Sequence, residues 1–502
     1  MIVEVLVTLF LVWFIWFFVD AYMKRKNMPP GPFPYPFLGN IPQIMSADPV
    51  RPFSKLAETY GDMYTLTFPQ GMTVILNTAT LVREARLAPG KQEDLMGKTP
   101  DSIYPFTEIM GDNLTTCDYS PAHTFKRKVF VSAMHTFGAG LEQAAVRAGH
   151  AVNLAMNEIE KKPDRHFSPK SILESCFVVQ LWEWLTSEQI SLSDPVVKDM
   201  NELGEILSRC AVLVTVYQLL PFLRYLPTSA NRDIKRAEEI REKVFPPSYR
   251  AIQNSYTAGT ARHLTDSFIS AYQKELAKEI RKDIGTKDTA IPGLMMNVVV
   301  VGSETTSTWL TWFFLYMVLF PKVQRKIHEE LDEVVGRDRV PNRQDAENLP
   351  YLQAALCEVG RICRMVEVVG TNAIRDTSIA GYHIPKGTFV GLNIQKVHEN
   401  ERDWPEPRKF KPERFLDEDG KFVGWTKKNA FLPFGIGRRE CPGQPLARVS
   451  MYSFASALLH RYEFDLPEGA EMPSIKVSIP QVVARPDDYL VVAKPRELNV
   501  EF

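Results

Sequence analysis

Paired cysteines, surplus charge of either sign and nucleotide-binding glycine loops are all missing from this sequence. Its six cysteines, Cys117, Cys176, Cys210, Cys357, Cys363 and Cys441, are spread over 502 residues, and none forms a Cys-x-x-Cys pair. A zinc ribbon, a thioredoxin-like dithiol and a disulfide scaffold are therefore excluded, and most of these residues should be buried free thiols. The formal net charge is -1, so no nucleic-acid partner attracted by global basicity is expected, although local basic patches can still form. No Gly-x-Gly-x-x-Gly fingerprint is present, so the chain brings no nicotinamide- or flavin-binding unit of its own. Internal repeats and low-complexity tracts are also lacking. What is there is an ordinary globular composition, 45% apolar and 24% charged, with two long apolar runs.

The first run, Ile2–Val19, is interrupted only by Glu4 and Thr8. At 1.5 Å per residue it spans about 27 Å, close to the hydrocarbon thickness of a bilayer. Trp13 and Trp16 suit an interface, and Lys24, Arg25 and Lys26 follow directly. Positive residues stay cytosolic, so the expected topology is a lumenal N-terminus and a cytosolic body. A cleaved signal peptide would place its charges first and end in a small-x-small site, which this segment does not. Residues 1–20 are thus read as a transmembrane anchor, and residues 21–42 as a basic, proline-rich linker. The Met28-Pro-Pro-Gly-Pro-Phe-Pro-Tyr-Pro36 stretch predicts a stiff spacer lifting a body of residues 43–502 off the membrane.

Within that body, Met63–Phe68 and Thr73–Asn77 flank Pro69-Gln70-Gly71 as a hairpin. Residues 120–335 have mostly helical patterning, and Ile384-Pro-Lys-Gly-Thr-Phe-Val390 belongs to a second β-rich region. Residues 400–435 read as an irregular ordered loop, and helix returns after Cys441. The second apolar run, Val298–Phe320, holds Gly302, Ser303, Glu304, Thr305, Thr306, Ser307 and Thr308. A carboxylate at the centre of a bilayer costs about 2.5–3.5 kcal/mol. With Pro292 and Pro321 as brackets, the run reads as one buried core helix carrying a polar patch, which chemistry with water, oxygen or substrate would explain.

The densest signal is Phe434-Gly-Ile-Gly437-Arg-Arg439-Glu-Cys441-Pro-Gly443. Its glycines permit a tight turn against a flat partner. Cys441 stands at the mouth of a helix through Leu446, Ala447 and Met451, with Pro442 suited to the first helical position. Helix N–H groups, Arg438 and Arg439 should all lower the thiol's pKa. A structural cysteine in a glycine-rich turn is the bland alternative for any one of these residues. Together they match F-x-x-G-x-R-x-C-x-G, and here the sequence resembles the cytochrome P450 family over nearly its whole length.

That resemblance implies a mainly α fold with small β-sheets, a single catalytic domain behind the anchor, and haem b (iron protoporphyrin IX) with Cys441 as axial ligand. Thiolate donation favours O–O cleavage. Glu358-Val-Gly-Arg361 matches the family's E-x-x-R and, with Arg414 of Pro412-Glu-Arg414-Phe415, implies a buried scaffold cluster bracing the haem loop. Val301-Gly302-Ser303-Glu304-Thr305-Thr306 resembles the oxygen-activation segment. Gly302 would let oxygen and haem approach the helix. A Thr hydroxyl bonded to an i−4 carbonyl can open the helix locally. Thr305 and Glu304 would relay protons for O–O cleavage. Val301 stands where alanine is usual and should restrict substrate shape. His123 stands where the family has the tryptophan of W-x-x-x-R, with Arg127 retained, and Gly370-Thr371 replaces a histidine ahead of Arg375-Asp376. Arg127 and Arg439 remain as haem propionate partners, with His123 as a further donor.

The implied reaction inserts one oxygen atom from O2 into a steroid, fatty acid or xenobiotic. The electrons come from NADPH through a separate cytochrome P450 reductase, with cytochrome b5 as a further donor, at the cytosolic face of the endoplasmic reticulum membrane. Lys126, Arg127, Lys128, Lys427, Lys428, Arg438 and Arg439 are candidates for the basic face that docks such a donor. Leu219–Leu226 reads equally as core or as a surface touching membrane lipid, and substrate-lining residues are expected near 100–115, 205–220 and 475–480. A haem isomerase or dehydratase, a haem-binding protein, and a membrane-tethered interaction protein with a structural cysteine are the alternatives. Asn113-Leu-Thr115 is a glycosylation sequon that a cytosolic body would leave unused.

Overall fold

The computed structural model describes residues 2–47, 51–98, 103–136, 141–278, 290–363, 365–475, 477 and 483–496. After α1 (Ile2–Arg25), α2 (Ile41–Ala47) and α3 (Pro52–Tyr60) lead into β1 (Met63–Phe68) and β2 (Gly71–Leu76). Then come α4 (Ala79–Leu87), α5 (Phe106–Met110), α6 (Pro121–Thr136), α7 (Leu141–Glu160), β3 (His166–Phe167) and α8 (Pro169–Thr186). The helical half continues with α9 (Pro195–Leu219), α10 (Ser229–Asn254), α11 (Leu264–Leu276), α12 (Ala290–Met296), α13 (Gly302–Leu319), α14 (Pro321–Val334) and α15 (Pro350–Ile362). Strands β4 (Val368–Asn372), β5 (Thr377–Ile379), β6 (Tyr382–Ile384) and β7 (Phe389–Asn393) precede α16 (Ile394–His398). The chain closes with α17 (Gln444–Arg461), β8 (Tyr462–Asp465) and β9 (Val491–Pro495). The expected mainly α fold with small sheets is what forms.

The hairpin pairs Met63 with Leu76 and continues through β7, parallel to β2, to β4 in the order β1-β2-β7-β4. The core is helical. α13 is apolar on all sides and buried from Thr306 to Val318, as a helix enclosed by α8, α15 and α17 must be. Pro321 ends it, as expected, but Pro292 does not bracket it. The helical run begins at Ala290, with Pro292 in the first turn of α12, and passes through a π-helical turn, Asn297–Val301, before α13. The Thr305 hydroxyl donates to the Val301 carbonyl at 2.9 Å. This side-chain bond competes for an i−4 carbonyl, the device that opens a helix locally. Asn297 fixes the same turn from outside, accepting from Leu114 N at 2.8 Å and donating to Thr115 Oγ1 at 3.1 Å.

The proline-rich segment is not a spacer standing clear of the body. Thr65 N donates to Pro30 O, Met28 is buried, and Asn40 donates to Pro32 O and accepts from Thr67 N. Arg25 donates to Pro32 O and Thr65 O, so this cation is structural rather than a free topological charge. Phe37 stacks on Trp13 at 4.8 Å and Phe33 on Phe18 at 5.2 Å, so the segment doubles back along α1.

α13 and α15 meet at one glycine. A Cβ at Gly360 would lie 1.9 Å from Trp309 Cζ2, inside a rigid indole whose Nε1 donates to Leu356 O. Gly360→Ala should lower unfolding stability by about 1–3 kcal/mol, the usual result of overpacking, as read by urea denaturation.

Candidate functional site: a cysteine loop under α13

Phe434 to Gly443 folds as a tight loop. Gly435 and Gly437 adopt φ of 72° and 81°, conformations that need glycine. Cys441 N donates to Phe434 O at 2.8 Å, closing the loop. The helix behind it starts later than its sequence suggests: Gly443 is the N-cap and Pro445, not Pro442, occupies the first turn. A Cβ on Gly443 would lie 3.8 Å from Cys441 Sγ. Cys441 is solvent-accessible yet densely surrounded, a thiol on the floor of a recess. Burial pushes this thiol up, against the pull of the Gly443 and Gln444 N–H groups and of Arg127, so in the polypeptide alone the expected lowering does not win. Arg438 takes no part, pairing with Glu93 at 3.0 Å.

The loop is braced from α15. Arg361 makes two 2.7 Å bonds to Glu358, both side chains fully buried, and Arg414 adds a third at 3.3 Å. Arg361 also donates to His398 O at 2.8 Å, and Leu432 N donates to the His398 ring at 2.9 Å. The expected Glu358, Arg361 and Arg414 cluster thus reaches the cysteine loop through His398, a residue that the motifs do not reveal. Burial, then Arg361, holds His398 down at about 3. On the α13 side, Phe434 stacks on Trp309 at 5.5 Å.

Four cations and a histidine gather at the loop's edge. Arg127 donates to Glu440 O at 3.1 Å, and Arg439 donates to Met96 O at 2.7 Å. Sequence reasoning missed the other two. Arg86 donates to Leu95 O at 2.6 Å, and Lys98 donates to Gly370 O at 3.1 Å. All four donate to backbone carbonyls, and among the described residues none pairs with a carboxylate. Burial, then the neighbouring Arg439 and Arg86, presses Lys98 down to about 8. Burial followed by Arg439, Arg127, Lys126 and Lys98 presses His123 to about 3. His123 Nδ1 is buried without a partner. Concentrated positive charge with an orphaned imidazole nitrogen fits a group bearing carboxylates. A thiol at the loop's centre fits an iron ligand, so the residues present suit a haem. Thr371 does not replace the usual histidine, since its hydroxyl is bound to Leu95 O at 2.7 Å.

On the other side, the space beside Gly302 is filled by Leu181 Cδ1 of α8, 3.1 Å from where a Cβ would stand. Gly302 therefore serves close helix packing there rather than only an approach of oxygen. Glu304 lies against Arg485, which also holds Glu174 at 2.6 Å. The basic face is thinner than expected: Lys126 is buried against Asp112 and Lys128 meets Glu275 at 3.1 Å, while Lys427 and Lys428 stay exposed. Asn113 is fully buried and donates to Gly111 O and Thr116 Oγ1, so its sequon is closed to a glycan. The expected lining near 100–102 and most of 475–480 lies outside the described residues.

A fold of this order around a cysteine ligand loop defines the haem-thiolate proteins. The cytochrome P450 family model matches residues 29–493, and the chain belongs to that family, whose members are monooxygenases that use haem. It is 31% identical over 502 residues to mouse (Mus musculus) cytochrome P450 2D26, covering 95% of this chain and 96% of that one. It is 29% identical over 493 residues to the steroid 17-alpha-hydroxylase/17,20 lyase of Ictalurus punctatus, covering 95% and 93%. A zebra fish cytochrome P450 solved with progesterone superposes with a TM-score of 0.76 at 27% identity, covering 88% of this chain and 98% of that one.

The depressed His398 value gives a pH prediction. A buried neutral histidine stabilises fully above its unfolded value near 6.5, and the contribution is lost as pH falls toward 3. Urea denaturation of wild type and His398→Leu should therefore show a wild-type advantage that shrinks as the pH is lowered through this window.

Proposed function

We propose that this protein is a membrane-anchored monooxygenase that inserts one oxygen atom of O2 into a lipophilic molecule, with electrons from NADPH delivered by a separate reductase. The observation that carries this reading is the recessed Cys441 thiol beside Arg86, Lys98, Arg127, Arg439 and the unpartnered His123 nitrogen. When bound, a haem supplies a reducible iron able to activate oxygen. Cys441 would ligate the iron, and the four cations and His123 would take the propionates. Phe434, Gly437 and Gly443 would shape the loop under it.

The protein's own part above that group is protonic and steric. The Thr305 hydroxyl, bonded to the Val301 carbonyl beside the π-turn, is placed to pass a proton toward the reacting centre. Glu304 would supply that hydroxyl from the outside and is held meanwhile by Arg485. Val298, Val299 and Val300 are buried in an apolar cluster, and Val301 packs against it, which suits a lipophilic substrate. The substrate is a steroid, fatty acid or xenobiotic. The 24-residue α1, with mean hydropathy 2.6 over its best window, suits an anchor in the endoplasmic reticulum with the body facing the cytosol. Lys427 and Lys428 are the exposed cations left to steer an acidic donor such as the reductase or cytochrome b5.

A reduced, carbon monoxide spectrum of wild type should show the strongly red-shifted Soret band of a thiolate haem, and Cys441→Ala should lose it. A normal band in the variant removes the reading. His123→Leu should release haem several-fold faster to an acceptor apoprotein, since the variant deletes a buried donor. Thr305→Ala should keep the haem but consume O2 and NADPH without matching product, as measured by oxygen uptake against product formed.

A further inference from the structure

One buried cation serves two carboxylates on the outer side of α13. Arg485 pairs with Glu174 of α8 at 2.6 Å through Nη1 and with Glu304 of α13 through Nη2. Its own Nε is buried with no partner. The root of this side chain is fixed. Trp312 Nε1 donates to Ala484 O at 3.0 Å, Ala484 N donates to Met365 O at 2.7 Å, and the Tyr489 hydroxyl donates to Thr311 O. The segment that carries Arg485 is thereby riveted to α13, while its guanidinium reaches across to α8.

The charges here do not balance. On the neighbouring turns Lys170 pairs with Asp488 and Arg209 with Glu205 of α9, each at 3.8 Å, so neither cation is spare. What is left is two carboxylates against one guanidinium. The Arg485 side chain is only 9% exposed, and those of Glu174 and Glu304 are 22% and 20% exposed, so water screens the surplus charge poorly. Two carboxylates on one cation in such a place favour holding a proton between them, because one neutral and one ionised carboxyl then match the guanidinium. Burial pushes Glu174 up, opposed by Arg485 and Lys170 and reinforced by Glu304 and Glu205, which is the same direction.

A way to solvent adjoins the pair. A cavity of about 20 Å³ lies among Glu174, Asn201, Glu205, Ser303, Glu304 and Arg485, wide enough for one water molecule. The Glu205 side chain at its mouth is 69% exposed. α9 meets Glu304 with a glycine: a Cβ on Gly204 would stand 3.5 Å from Glu304 Oε2. One oxygen of Glu304 thus meets Arg485 and the other faces Gly204.

We infer that Glu174 and Glu304 share a single stored proton across Arg485, which makes Glu174 and Arg485 positioning residues for the proton route through Thr305 proposed above, on which the inference rests. The proton on Glu174 crosses the cavity by way of one water to the Glu304 carboxylate. Glu174, now the anion, takes over the guanidinium, and Glu304 is released to give the proton to the Thr305 hydroxyl. Each transfer breaks one O–H bond and makes another, and Glu205 brings the replacement proton from solvent.

Infrared spectroscopy of the full-length, haem-loaded protein tests this, because a protonated carboxyl has a carbonyl band that an ionised one lacks. At neutral pH the wild-type spectrum should contain a band that disappears in both Glu174→Gln and Glu304→Gln, since either change leaves one carboxylate paired with one guanidinium. Arg485→Met, which removes the cation, should raise the band about twofold, whereas Arg485→Lys should stay near wild type. On transfer to D2O the band should shift several-fold more slowly in Gly204→Ala and Gly204→Leu, which narrow and then fill the cavity. Spectra of wild type, Glu174→Gln and Glu304→Gln that coincide in this region overturn the shared proton, and an exchange rate unchanged by both Gly204 variants overturns the route. These readings are taken without turnover, so a protein that oxidises no substrate would refute the monooxygenase reading and leave them intact.

Discussion

The buried Glu358–Arg361 pair is the constraint on which the rest of the structure leans. Two charges in a dry core are expensive to desolvate, and they persist here because each is met by several hydrogen bonds. Glu358 accepts from Arg361 twice, from Arg414 and from Lys411 N, while Arg361 also donates to His398 O and lies over Trp404 at 5.3 Å. Breaking such a pair typically costs 3–5 kcal/mol, roughly half the net stability of many domains. The pair sits one residue from Gly360, where Trp309 enters, and one hydrogen bond from His398, which holds Leu432. The cysteine loop therefore inherits its position from α15 on one side and from α13, through Trp309 and Phe434, on the other.

Against that neutralised cluster, the edge of the loop is unbalanced. Arg86, Lys98, Arg127 and Arg439 repel one another across a partly dry site, and backbone carbonyls offset only part of that cost. A fold does not keep such a concentration of charge for its own stability. A dianionic ligand at this edge would close the balance, and its binding would then stabilise this corner of the molecule. His123 belongs to the same account: kept neutral by burial and then by its cationic neighbours, it can still donate a hydrogen bond without adding to the charge.

What could be read from the sequence was whatever lies within one turn or one short loop. The hairpin and the shared face of Glu358 and Arg361 follow from spacing, while the cysteine loop, the burial of that pair and the Thr305 hydroxyl bond were legible through the resemblance to the family's motifs. The parts that escaped join distant segments. Lys98 and Arg86 precede Cys441 by more than three hundred residues, His398 looks like any polar residue at a helix end, and Arg485 reaches Glu304 from the last tenth of the chain. Lys126 and Lys128 read as free surface charge because Asp112 and Glu275, which hold them, lie on other elements. The proline-rich stretch read as a spacer because polyproline geometry needs no partner, yet from Asn27 to Met45 it carries no charged residue. A water-exposed spacer would ordinarily carry some, and that omission was the available sign that the segment lies on apolar neighbours.

The cysteine loop and the π-turn of the α12–α13 run are held by interactions of different strength. Below, a ligand loop has to hold one sulfur in place, and it is tied by a fully buried ion pair, closed hydrogen bonds and stacked rings. Above it, the Thr305 hydroxyl bond to the Val301 carbonyl is a tie worth only about 0.5–1.5 kcal/mol. Thermal energy opens the second kind often and the first kind almost never. With the strengths reversed, the cysteine loop would move as readily as the π-turn now can, and Cys441 would have no fixed position.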